Sequence, residues 1–94
     1  MQASARYKEP GQKLVQARIE YDSEIRAVEI LGDFFIYPEE AISLIEKSLL
    51  GMRVSSSKDE LAERVRKAAS ENGIEMIGVT PEGIATAVYT AMIA

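Results

Sequence analysis

Hydrophobic and polar residues alternate along the first third of the chain, which is the two-residue period of a half-buried β-strand. The alternation is regular from Lys13 to Tyr21, weaker from Ala3 to Glu9, and clear again from Ile25 to Leu31. Turn sequences separate these segments at Pro10-Gly11 and at Asp22 to Glu24. The pattern therefore predicts a three-stranded antiparallel meander.

Beyond these strands the apolar positions recur every three or four residues, as they do on the buried face of a helix. A first helix is predicted to begin at Pro38 and to end before Gly51. A second is predicted to begin at the capping-box sequence Ser57 to Glu60 and to end at Asn72-Gly73. A third is predicted to begin at Thr80-Pro81, with the threonine as N-cap.

The order of these elements, strands first and helices afterwards, predicts an α+β fold. We expect a three-stranded antiparallel sheet, the N-terminal meander, packed against about three α-helices on one face. The apolar link from Ile74 to Val79 could be extended. A chain of 94 residues is expected to form a single domain, residues 1–94, with a thin hydrophobic core.

Composition narrows the function classes. The chain has no cysteine and no histidine, which excludes disulfides and removes the commonest general base and the commonest transition-metal ligands. A catalytic role would therefore have to rest on Asp, Glu, Lys, Ser or Tyr. Because a domain this small rarely closes a full substrate pocket alone, a non-catalytic module is favoured, and we predict no catalytic residue and no metal site. The net charge of -4 argues against a nucleic-acid partner. No apolar run reaches membrane-spanning length and no signal-peptide pattern opens the chain, so we expect a cytoplasmic protein without a membrane partner.

The turn after the third strand carries both phenylalanines of the chain. We call Gly32, Asp33, Phe34 and Phe35 the aromatic corner. Turns are usually polar, so paired aromatic residues there need either a core to fill or a partner surface to meet. Because neighbouring side chains of an extended segment point in opposite directions, one ring is expected to fill the core and the other to be free to contact another protein.

The first turn, residues 8–13, carries two lysines, Lys8 and Lys13, in an acidic protein. We call it the basic turn. Two interpretations stay open at this point: the lysines increase solubility, or the loop binds an anion such as a phosphate or an acyl-adenylate.

Two other patterns are given structural interpretations. The segment Gly78 to Gly83 has the glycine spacing of a phosphate-binding loop, but the lysine that such loops require is absent, so a helix start is favoured. The acidic residues Glu39, Glu40 and Glu46 are interpreted as a solvated helix face rather than a metal site.

Taken together, the motifs strongly resemble the C-terminal accessory domain of lipoate-protein ligase. The resemblance covers essentially the whole chain and depends on an ordered series of segments: Lys8 to Val15, Ile25 to Phe35, Pro38 to Glu40, Leu49 to Gly51, and Gly78 to Ala85. One departure is Gln12, where the family turn commonly has a second glycine. The lipoate-binding run and the catalytic lysine of the family's large domain are absent. The chain therefore resembles either the small subunit of a two-chain ligase, as found in some archaea, or an excised domain. Since the motifs begin within ten residues of Met1, we expect the separate subunit.

The resemblance implies a non-catalytic subunit, needed with the large catalytic subunit for the ATP-dependent activation of lipoate to lipoyl-AMP. The isolated chain is expected to have no activity and to bind no cofactor, whereas the assembled ligase would use ATP, magnesium and lipoate. The implied partners are the catalytic large subunit and, indirectly, the lipoyl domains of 2-oxoacid dehydrogenases and the glycine-cleavage H protein.

For individual residues, the resemblance implies that the aromatic corner meets the catalytic subunit or helps to close its active site. Lys13, and less favourably Lys8, would place positive charge near the phosphates. Two alternatives from other classes remain. One is a binding or scaffold module related to the iron-sulfur assembly proteins, whose compact α+β fold the family is thought to share, although this chain lacks cysteine. The other is an independent module for a different acidic or apolar partner.

Overall fold

A computed structural model describes residues 1–94. The chain forms an α+β fold with a three-stranded antiparallel sheet at its N-terminus and three α-helices, which confirms the predicted fold class. In chain order the elements are β1 Gln2–Lys8, β2 Leu14–Tyr21, β3 Ile25–Gly32, β4 Phe35–Tyr37, a 3-10 turn Glu39–Ala41, α1 Ile42–Ser48, α2 Lys58–Glu71, β5 Glu75–Ile77 and α3 Pro81–Ile93.

The three long strands pair as the predicted meander, in the order β1-β2-β3. Ala17 of β2 pairs with Ala5 on one side and with Ile30 on the other, so apolar residues line up across the sheet on one face. That face is buried at Val15, Ala17 and Ile30, whereas Arg18, the residue after Ala17 on β2, is exposed on the opposite face. The two-residue alternation of the sequence thus sets which face of the sheet receives the helices.

The helices cover this apolar face. α3 packs against β1 and β2, α1 packs against β3, and α2 packs against both α3 and α1. Ala17 in the sheet and Gly83, Ala87 and Ala91 in α3 are all buried, and residues this small allow a helix to lie close to a sheet. None of the helices is long and apolar enough to cross a lipid bilayer.

The predicted start and end of α2 are confirmed. The hydroxyl of Ser57 accepts from the N–H of Glu60 (3.1 Å), and the Glu60 carboxylate accepts from the N–H of Ser57 (2.9 Å), which is a complete capping box. At the other end of α2, Gly73 has a left-handed φ of 61°, and the N–H of Ile74 donates to the carbonyl of Ala69 (2.9 Å). This is the Schellman arrangement expected for an Asn-Gly C-cap.

The capping box gives the stability of the chain a dependence on pH. Hydrogen bonds from the Ser57 N–H and hydroxyl lower the pKa of Glu60 below its ordinary value of 4.5. Because the folded-state pKa is lowered, the contribution of Glu60 to stability is present above the unfolded pKa and is lost as the pH falls through the folded pKa. We expect the free energy of unfolding of Glu60→Gln, measured by urea titration, to fall less than that of the wild type between about pH 5 and pH 3. Parallel pH profiles for the two proteins would contradict this.

Two features differ from the sequence-based expectation. Pro38 was expected to be the first helical residue, but its ψ of 154° is extended, so it caps the 3-10 turn that precedes α1. Proline fixes φ and leaves ψ free, so its presence marks the start of a helix only to within a residue. The second feature is a two-stranded antiparallel ribbon formed by β4 and β5. The residues directly after Phe34 therefore form a strand, β4. Its partner, β5, lies within the link from Ile74 to Val79, which is extended as the sequence suggested.

Candidate functional site

The basic turn and the aromatic corner meet at one end of the sheet, together with a third segment, residues 78–80. The N–H of Lys13 donates to the carbonyl of Gly78 (2.8 Å), and the N–H of Asp33 donates to the carbonyl of Leu14 (3.2 Å). Val15 pairs with Gly32 across β2 and β3. Two motifs that are well separated in the sequence therefore form one surface.

Two glycines allow this close approach. A Cβ atom on Gly78, whose φ is 85°, would lie 2.9 Å from Cγ of Lys13 and 3.6 Å from Cβ of Phe34. A Cβ atom on Gly32 would collide with the main-chain oxygen of Leu14 and would lie 2.8 Å from Cε1 of Phe34. The side chains of the basic turn and the aromatic corner are thus held together because neither glycine carries a side chain.

The two phenylalanine rings point in different directions, as the alternation of an extended segment requires. Phe34 is half-buried and packs against the hydrophobic core. Phe35 is 68% exposed. One ring therefore helps to fill the core and the other is available to a partner.

Phe35 belongs to a larger apolar surface on the outer face of the β4–β5 ribbon. Its cross-strand partner is Ile77, which is 49% exposed, and Tyr37 on the same strand is 67% exposed. The residue between them, Ile36, is buried. We call Phe35, Tyr37 and Ile77 the ribbon patch. Sequence reasoning missed Tyr37 and Ile77, although the alternation of Phe35, Ile36 and Tyr37 is the signal that could have indicated a strand.

The depression beside the ribbon patch is small. It has a volume of about 250 Å³ and is lined mainly by apolar residues, including Leu31, Phe34 and Ile42. Enclosed sites for small molecules usually exceed about 300 Å³. The corner is therefore better suited to contact with a protein surface than to binding a small molecule by itself.

The basic turn is a tight turn with free lysines. The N–H of Gln12 donates to the carbonyl of Glu9 (2.9 Å), and Gly11 has a φ of 79°. Lys8 and Lys13 are exposed, and neither takes part in the ion pairs of the chain, which all involve arginines. Both ammonium groups are thus available to an external anion.

The carboxylate of Glu9 does not neutralise these lysines, because it binds the start of α3. The hydroxyl of Thr80 donates to Oε1 of Glu9 (2.6 Å) and accepts from the N–H of Gly83 (3.0 Å). This confirms Thr80 as the N-cap of α3 and the segment from Gly78 as a helix start. The sequence does not reveal the Glu9–Thr80 contact, since it joins residues 71 positions apart.

The Glu9–Thr80 hydrogen bond is expected to couple the basic turn to α3. Glu9→Ala and Thr80→Val should each lower the free energy of unfolding by about 1 kcal/mol, and the double variant should lose less than the sum. Urea unfolding of the four proteins measures this coupling. Strictly additive losses would show that the contact contributes nothing to stability.

No three carboxylate side chains of the chain lie together in a cluster that could hold a metal ion. The expectation of a solvated face is wrong for Glu46. Its Oε2 accepts from the N–H of Ile30 (2.8 Å) and so satisfies an amide on the free edge of β3. Glu39 and Glu40 are exposed, in the 3-10 turn before α1.

Comparison of the sequence with profiles of known protein families and with curated proteins gives no match. Comparison of the fold with solved structures gives a clear one. The chain is similar to a chain in the structure of a bipartite lipoate protein ligase and its E2 lipoyl domain from Thermoplasma acidophilum. The TM-score is 0.76, the sequence identity is 27%, and the match covers 94% of each chain. The resemblance to the lipoate-protein ligase accessory domain that the sequence motifs indicate is therefore confirmed at the level of the whole fold.

Proposed function

We propose that this chain is the non-catalytic small subunit of a two-chain lipoate-protein ligase. The observation that carries the proposal is the likeness to a chain of the bipartite ligase structure over 94% of both chains. The chemistry of the side chains is compatible with an accessory role, because the corner offers an exposed aromatic ring and free lysines but no enclosed cavity of ligand size. The catalytic groups would belong to the partner.

In the assembled enzyme, the lipoate carboxylate would attack the α-phosphorus of ATP, forming lipoyl-AMP and releasing pyrophosphate. A lysine amine of a lipoyl domain or of the glycine-cleavage H protein would then attack the acyl carbon of the adenylate, forming the lipoyl amide and releasing AMP. ATP, magnesium and lipoate would be held by the catalytic subunit. The contribution of this chain would be to dock through the aromatic corner and help to exclude water from the hydrolysable adenylate.

Lys13 is the residue of this chain proposed to assist the phosphates, with Lys8 as the second choice. Both are cationic, exposed and unpaired, and the main chain of Lys13 is fixed by its hydrogen bond to Gly78. A cation placed near the phosphates would stabilise the negative charge that develops as pyrophosphate leaves.

We expect Lys13→Ala to lower lipoate-dependent pyrophosphate release by the two-chain enzyme severalfold, without changing the affinity of the two chains. Lys47→Ala, which removes an exposed lysine of α1, is the matched control and should have full activity. Full activity of Lys13→Ala would remove the phosphate contact and leave the accessory role intact.

The alternative of a scaffold related to the iron-sulfur assembly proteins has no support among the side chains, because the chain has no cysteine.

The proposed function is tested by mixing the chain with the catalytic ligase chain of the same organism and separating the mixture by size-exclusion chromatography. We expect a stable complex with one copy of each chain. Two separate peaks at micromolar concentrations would contradict the proposal.

A further inference from the structure

We infer that the ribbon patch is the surface through which this chain binds the catalytic chain, and that the partner offers an apolar recess with a basic rim. The inference rests on the proposed function and extends it. It adds Tyr37 and Ile77, which lie outside the aromatic corner, and it states the chemistry that the partner surface must have.

The side chains of the ribbon patch share one orientation. Phe35, Tyr37 and Ile77 lie on one face of a ribbon whose opposite face is anchored in the core by Ile36. Aromatic side chains are enriched in the central part of protein interfaces, and an exposed cluster of them indicates a binding surface.

The patch is preformed, because both strands that carry it are held by main-chain contacts. β4 and β5 are paired along their full length, and directly after β5 the carbonyl of Gly78 accepts from the N–H of Lys13. On the other side, β4 runs into the 3-10 turn and α1. A preformed patch loses little conformational entropy on binding, which favours affinity.

The charges around the patch favour a different partner over a second copy of this chain. Glu75 pairs with Tyr37 on the same face of the ribbon, Glu39 lines the depression beside Phe35, and Asp33 lies in the adjoining corner. All three carboxylates are exposed and none forms an ion pair within the chain. Lys13, whose side chain lies beside Gly78, adds one positive charge to the three carboxylates. Two copies meeting through this patch would therefore still bring net acidic rims together, whereas a partner with lysines or arginines around an apolar recess would complement it.

The test is calorimetric titration of the catalytic chain with the wild type and three variants. Ile77→Asp places a charge within the patch, beside Phe35, and we expect it to weaken binding about tenfold or more. Glu75→Lys reverses a charge of the rim without touching the core, and we expect it to weaken binding severalfold and to reduce its dependence on salt. Leu50→Asp changes an exposed leucine that lies near Arg64 and Lys67 instead, and should bind as the wild type does.

The outcomes separate the inference from the proposed function. If the wild type binds and Ile77→Asp and Glu75→Lys bind equally well, the ribbon patch is not the interface, although the subunit role stands. If the wild type does not bind, both fail. A concentration-dependent homodimer of the wild type that Ile77→Asp abolishes would also overturn the inference, since it would show that a second copy covers the patch. Circular dichroism of each variant checks that it is folded.

Discussion

Replacing Phe35 with aspartate is expected to reduce the proposed support of lipoate adenylation by this chain by about tenfold or more, while leaving its fold intact. The ring is 68% exposed, so its removal costs the core almost nothing. In a complex, however, the aspartate would be a charge buried without a partner at the centre of the ribbon patch. The measurement is pyrophosphate release by the catalytic chain as the variant is added, with a thermal melt of the isolated variant.

The controls for this experiment use the same corner. Phe35→Leu keeps an apolar side chain and should retain most of the activity. Phe34→Asp, in contrast, would replace a ring that packs against the core with a charged group, and should destabilise the chain itself. Full activity of Phe35→Asp at low protein concentration would show that the exposed ring does not contact the partner.

Gly32→Ala is expected to have the largest effect on stability, lowering the free energy of unfolding by about 2 kcal/mol or more. The added Cβ would collide with the main-chain oxygen of Leu14 and press on the ring of Phe34. A main-chain oxygen cannot yield as a flexible side chain can, because Leu14 begins β2 and the N–H of Asp33 donates to this oxygen. The loss is a large part of the stability of a small domain.

The matched control is Gly73→Ala. Gly73 also has a positive φ, 61°, but a Cβ atom there would meet nothing within 4 Å. That variant should lose only the conformational cost of the left-handed backbone, about 1 kcal/mol. Urea unfolding of the two variants compares them directly. Equal losses in the free energy of unfolding would show that the close contacts around Gly32 contribute nothing to the effect of Gly32→Ala.

Local patterns in the sequence were sufficient for most of the fold. The alternation from Val15 to Ile19 determines the face of β2, and the Ser57 and Thr80 caps depend on residues three positions away. The β4–β5 ribbon lacks such a signal, because three-residue strands are too short to show a period and the partner strand lies far along the chain.

The candidate site shows the same division. The aromatic corner and the two lysines stand out in the sequence, and the opposite orientations of Phe34 and Phe35 follow from the alternation of an extended segment. Their neighbourhood could not be predicted, because it depends on contacts between distant segments: Lys13 with Gly78, and Glu9 with Thr80. The hydrogen bond between Glu46 and the edge of β3 could not be predicted either, because it also joins residues that are distant in the sequence.

The most direct test of the proposed role is lipoate-dependent pyrophosphate release by the catalytic ligase chain, measured with and without this chain. We expect little release from the catalytic chain alone and a rise that saturates when one equivalent of this chain has been added. This chain alone should release none. If the catalytic chain adenylates lipoate equally well in its absence, the role as a required small subunit is wrong.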